Sequence, residues 1–136
     1  MCGVVAILGK KSASSLVIDG LKKLEYRGYD SAGIATLSKR SVQAIKSEGK
    51  LNNLINSFSA QKKEKSFFEN SIAIGHTRWA THGNINIKNA HPLISDNKVA
   101  VVHNGIIENH VIIKKQLLSE GFTLTVSEIE FINFKK

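Results

Sequence analysis

Met1-Cys2-Gly3-Val4-Val5-Ala6-Ile7-Leu8-Gly9 opens the chain, and the part from Gly3 to Leu8 is an apolar run rich in Val and Ile. Such a run predicts a buried strand that begins almost at the terminus and ties the N-terminus into a sheet. Just ahead of it stands Cys2, the single cysteine of the chain. A lone thiol forms no intramolecular disulfide, so it is either small core filler or chemistry. For a lone cysteine taken by itself core filler is the better reading, but position 2 gives the chemical one a mechanism. Initiator methionine is commonly removed ahead of a small residue, and Cys2 then carries both a thiol and a free α-amino group. With a pKa of roughly 7.7–8.0, part of that amine is neutral at pH 7 and can take the thiol proton without a separate histidine.

Working outward, Ser12 is expected to cap a helix with Leu16, Val17, Leu21 and Leu24 on one face, which Arg27 and Gly28 close as a C-terminal cation and a glycine cap. Residues 33–37 and 42–45 read as strands joined through the polar tip Ser38-Lys39-Arg40-Ser41. Leu51, Leu54, Ile55 and Phe58 mark a second helix, and the polar stretch 59–70 reads as a surface loop. Strands are predicted at 71–75, 98–103 and 122–126, and a helix at 111–118, with Pro92 in a loop after His91. Strands outnumber helices and arrive in adjacent runs, so the class is α+β with a largely antiparallel sheet.

The length of 136 residues, 42% of them hydrophobic, suits one compact domain. No apolar run approaches the ~20 residues of a membrane-spanning helix, and the start lacks the order of a signal peptide, so a cytoplasmic protein with no membrane partner is expected. The net charge of +8 comes from 19 Lys and Arg scattered in ones and twos. Pairs such as Lys22-Lys23 and Lys114-Lys115 without interleaved aromatics read as solvated surface, and no nucleic-acid partner is expected. His76, His82, His91, His103 and His110 lack the spacing of metal ligands, so neither a metal nor another cofactor is assigned.

Five stretches carry more than pattern: MCGVVAILG, LEYRGYDSAGIA, GHTRWATHG, NAHPL and VVHNGIIENH, in that order. Together, from Met1 to about Glu120, they resemble the glutaminase domain of glutamine–fructose-6-phosphate aminotransferase, a class II (N-terminal-nucleophile) glutamine amidotransferase. The resemblance implies a four-layer αββα sandwich of antiparallel sheets between helices. It also implies a glutamine-hydrolysing activity that supplies ammonia for glucosamine 6-phosphate, with glutamine as the bound partner and Cys2 as nucleophile.

Glutamine presents an α-carboxylate, an α-ammonium and a side-chain amide, so its site needs a cation, an anion and an oxyanion hole beside the thiol. Arg78 can grip a carboxylate bidentately, and the resemblance gives it that role against the alternative of a surface ion pair. Thr77, Arg78, Thr81 and His82 crowd into what reads as one post-strand loop. Thr81 and His82 match positions that line the glutamine pocket, although His82 alone reads equally as a structural histidine. Trp79 alone is core or a packing lid, and the resemblance makes it a gate for ammonia. Asn104-Gly105 by itself is a hairpin-turn signal. The resemblance instead puts the Asn104 amide and the Gly105 N–H at the oxyanion, and sets the Arg27-Gly28 turn against the nucleophile.

Beyond Gly121 the resemblance weakens. The family carries a Ser-Glu-Thr-Asp-Thr-Glu core whose aspartate receives the α-ammonium of glutamine, whereas this chain reads Val126-Ser127-Glu128-Ile129-Glu130-Phe131. Glu128 or Glu130 is left as a substitute. The expectation is a partial amidotransferase domain over residues 1–136, C-terminally incomplete, with the sugar-isomerase half absent or supplied by a separate polypeptide. The competing expectation is a non-catalytic remnant or interaction module.

Overall fold

A computed structural model describes residues 1–9, 12–38, 40–61, 70–80 and 84–123. Six strands, β1 (Gly3–Leu8), β2 (Ser31–Ser38), β3 (Ser41–Glu48), β4 (Ile72–Arg78), β5 (Leu93–Ser95) and β6 (Val99–Val101), accompany three helices among these residues. The helices are α1 (Ala13–Leu24), extended by a 3-10 turn at Glu25–Arg27, α2 (Leu51–Ala60) and α3 (His110–Ser119). The first four strands form one antiparallel sheet in the order β1-β4-β2-β3, and β5 and β6 form a second.

The opening run does pair as expected: β1 lies antiparallel to β4 with Gly3 opposite Thr77 and Val4 opposite His76. Helices α1 and α2 cover one face of the sheet, where Val17, Ile18, Leu21, Leu51, Leu54 and Phe58 meet Ala32, Ile34, Ile45 and Ala73. The opposite face receives the segment that leads into β5. A Cβ on Gly33 would stand 2.2 Å from the His91 carbonyl oxygen, so only glycine admits that close approach. With both faces covered, every residue from Ser31 to Thr36 is buried. Among the described residues, no helix is long and apolar enough to cross a membrane.

Several expectations need correction. Ser12 stands at the N-cap position of α1 in a left-handed conformation, φ 71°, and makes no side-chain cap. The Asn70 carbonyl, remote in sequence, accepts from Ala13 N–H at 3.0 Å instead, so a tertiary contact does the work of the local cap. Leu16 is 52% exposed, because the buried stripe of α1 runs through Ala13, Ser14, Val17, Ile18 and Leu21. The helix α2 likewise lacks a side-chain cap from its own N-cap residue; the Tyr29 hydroxyl accepts from Leu51 N–H at 2.6 Å.

The hairpin tip at 38–41 holds, with Ser38 paired to Ser41, but its strands are longer than the periodicity predicted. Strand β4 runs to Arg78, so Thr77 and Arg78 are strand residues and not part of a loop. Strand β5 went unread. Its turn to β6 holds Asp96 and Asn97 at φ 49° and 54°, a left-handed geometry that these two residue types tolerate and that could have revealed the hairpin. The expected strand at 122–126 and most of the expected loop at 59–70 lie largely outside the described residues.

Candidate active site

The end of β4 collects the chemistry. Thr77 is fully buried, and its hydroxyl accepts the Gly3 N–H at 3.0 Å, clamping the start of β1. That clamp sets Cys2 beside Trp79, whose N–H donates to the Cys2 sulfur at 3.2 Å. The Cys2 thiol is half-buried and unbridged. The Met1 ammonium donates to the Arg27 carbonyl at 3.0 Å, so the chain terminus is held against the 3-10 turn. Gly28, at φ 74°, closes that turn, and a Cβ there would come within 2.4 Å of the Trp79 ring. Residues 27–28, 79 and 1–2 thus meet at one place, and Trp79, 51% exposed, is not core.

Asp30 fixes the exit from β4. Its backbone N–H donates to the Arg78 carbonyl at 2.8 Å, its carboxylate accepts from Ala80 N–H, and its other oxygen accepts from the Ser31 hydroxyl at 2.9 Å. Asp30 lies inside the quoted LEYRGYDSAGIA stretch, between the turn that closes α1 and the start of β2, and an acidic residue in such a connection was the available signal for it.

Arg78 is 3% exposed, which rules out a surface ion pair. It shares its sheet face with His76, two residues earlier, as the alternation of a strand requires. His76 is also buried, and its Nε2 lies 2.7 Å from the Asn104 side-chain oxygen. Its ring sits against that of His91, centroids 4.5 Å apart. Asn104 and Gly105 themselves are exposed, follow β6 without a hairpin, and Gly105 takes φ 155°. The structure therefore brings Cys2 to Trp79 and Asn104 to His76 along the same strand end. Thr81 and His82 lie outside the described residues.

Electrostatically the floor of the site favours neutral rings. Burial is the first cause that pushes His76 below its usual value, with the Asn104 hydrogen bond and the His103 backbone opposing. His91 goes down to about 3, through burial first and then the positive neighbours His76, Arg78, Lys46 and His103. Lys46 is lowered to about 8 by burial, while donating to the Ala90 carbonyl at 2.8 Å. Among the described residues, no group of three or more His, Cys, Asp or Glu is placed to hold a metal.

Known proteins share this arrangement of sequence and fold. The chain is 49% identical over 133 residues to glutamine–fructose-6-phosphate aminotransferase [isomerizing] of Bartonella quintana, covering 97% of this chain and 21% of that protein. It is 50% identical over 123 residues to the protein of the same name from Clostridium acetobutylicum, covering 90% of this chain and 19% of the relative. The chain thus spans about a fifth of the length of these relatives. Among solved structures, glutamine phosphoribosylpyrophosphate amidotransferase of B. subtilis matches with a TM-score of 0.72 at 29% identity, over 94% of this chain and 27% of that one. An allosteric regulatory enzyme of purine biosynthesis matches with a TM-score of 0.75 at 30% identity, over 93% of this chain and 27% of that one. No protein-family model matches the chain. The fold is α+β, the class II amidotransferase fold.

Proposed function

Taking the chain as a glutaminase domain of the glutamine–fructose-6-phosphate aminotransferase kind, we propose that it hydrolyses glutamine to glutamate and ammonia with Cys2 as nucleophile. The observation that carries this reading is the terminus itself, with the Cys2 sulfur 3.2 Å from Trp79 N–H beside the end of β4. Once Met1 is removed, the α-amino group of Cys2 takes the thiol proton while sulfur bonds to the glutamine side-chain carbonyl carbon. The resulting oxyanion is held by the Asn104 amide and the Gly105 N–H, one such donor being worth about 2.7–4 kcal/mol. The carbon–nitrogen bond then breaks, the amine proton passes to the departing nitrogen, and ammonia leaves. Water cleaves the thioester, releasing glutamate and returning the proton to sulfur.

Arg78 holds the glutamine α-carboxylate, with Arg27, Thr81 and His82 completing the pocket and Trp79 covering it. No metal or organic cofactor enters these steps. Residues 1–136 supply part of a glutaminase domain, and the acceptor of ammonia lies outside them. A sugar-isomerase polypeptide is the partner that fits, given that the chain spans 21% of the Bartonella relative. A cytoplasmic location accompanies this chemistry, because the Cys2 thiol has to remain reduced.

The test is glutamate release from glutamine by the full chain with Met1 removed, measured beside Cys2→Ala. Labelling at Cys2 by an electrophilic glutamine analogue, blocked by glutamine, is expected as well. Equal glutamate release by Cys2→Ala, or labelling that glutamine does not slow, rules the reading out.

A further inference from the structure

Asn104 is exposed and stands outside any helix or strand, yet the reaction needs its carboxamide in one of two orientations. Only the NH2 end can donate to an oxyanion; the oxygen end would repel it. On a free surface segment, thermal rotation would mix the two. The oxygen end is engaged here, 2.7 Å from His76 Nε2.

His76 itself is rigid. It is 1% exposed, paired in register with Val4 on one side and Gly33 on the other, and its ring rests against His91. We propose that His76 is the positioning residue for Asn104: its Nε2–H holds the carboxamide oxygen and so turns the NH2 group toward the reacting carbonyl. This deepens the glutaminase reading and rests on it. A neutral imidazole supplies the single donor required, and burial of the ring keeps it neutral. His76 touches no reacting atom and acts through Asn104.

Two measurements on the full chain test this separately from the proposed function. The first uses nitrogen-15 NMR without substrate. His76 is expected as the Nε2–H tautomer, and the side-chain NH2 signals of Asn104 are expected to move in His76→Phe and to return toward their original position in His76→Gln, which restores a donor. An Nδ1–H tautomer in the parent chain overturns the proposal even if His76→Phe fails to fold. Unchanged Asn104 signals in a folded His76→Phe overturn it too.

The second is kinetic. His76→Phe is expected to lower kcat by roughly 10- to 100-fold, less than or equal to the loss of a whole donor, with KM nearly unchanged. His76→Gln should recover most of the loss. In an Asn104→Ala background, His76→Phe should cost less than about twofold further, because the group it positions is gone. Full additivity of the two substitutions would mean that His76 acts by another route. Absence of turnover in the parent chain would count against the glutaminase reading, while the NMR result still decides the hydrogen bond.

Discussion

Thr77 shows how one side chain sets the place of the proposed nucleophile next to a neighbouring strand. Its buried hydroxyl takes the Gly3 N–H at 3.0 Å, one residue away from the thiol. Thr77→Val keeps the shape and leaves that N–H without its acceptor, at a cost of about 1–3 kcal/mol. Chemical denaturation should register the loss, and glutamine hydrolysis should fall with it, while Thr77→Ser recovers both. At Cys2 the expectation is sharper. A retained extension ahead of Cys2 should abolish glutamate release, because in the proposed mechanism the base is the α-amino group of that same residue, whereas a C-terminal tag should leave it intact. Circular dichroism should find the extended and native chains equally folded; full activity of the extended chain would sink the single-residue mechanism. Cys2 and Arg78 could be nominated from the sequence because they fall inside the motifs MCGVVAILG and GHTRWATHG that carry the resemblance. The partnership of His76 with Asn104 was not, because it joins residues 28 positions apart and no local pattern reports it.

At the scale of elements, α1 is decided by what it packs against. Leu21 is fully buried in the core between α1 and the sheet, so Leu21→Ala is expected to cost about 2–5 kcal/mol, measurable as a shift in the urea midpoint. The start of the helix gives a contrast. Ser12→Ala should change stability by less than about 0.5 kcal/mol, since the Ser12 side chain caps nothing. Asn70→Ala should cost more, about 1–3 kcal/mol, because the Asn70 amide donates to the fully buried Ser14 hydroxyl at 2.8 Å. The reverse ranking would show that Ser12 caps the helix in solution. Periodicity found α1 and α2 because each has a buried stripe, and found residues 42–45 of β3 beside its turn. It overlooked β5, three residues long, for which no period can be established.

For the molecule as a whole, pH dependence follows from the buried imidazoles. His91 is held to about 3 in the folded chain, against roughly 6.5 when unfolded. Between these values the unfolded chain binds the extra proton, so stability rises with pH and is lost on acidification below about 6.5. For one such group the slope approaches ~1.4 kcal/mol per pH unit. His76 adds in the same direction, its value also being lowered. Urea midpoints measured from pH 7 down to pH 4 should fall steadily, and a His91→Gln variant should show a shallower fall; a flat profile in the parent chain would contradict the buried, neutral pair. Apolar surface sets a second expectation. Val111, Ile112 and Leu118 of α3 are exposed, Ile112 to 69%, and α3 buries no residue of its own. With β1 and β3 at the two edges of the main sheet among the described residues, concentration-dependent self-association is expected in sedimentation. A monomer at all concentrations with a sharp, reversible thermal transition would refute it.

The amino-acid sequence alone determined the α+β class, the strand at the terminus and the hairpin tip at 38–41, and through its resemblance it nominated the reactive groups. The first three are local matters: period and turn chemistry are properties of short stretches. Tertiary structure alone decided that Asn70 caps α1, that Asp30 braces the exit of β4, that Arg78 is buried and that Asn104 meets His76. Each of these depends on which groups the register of β1, β4 and β2 sets side by side. Register is chosen by burial of the whole sheet between the helices and the 89–93 segment, a competition among all its residues at once.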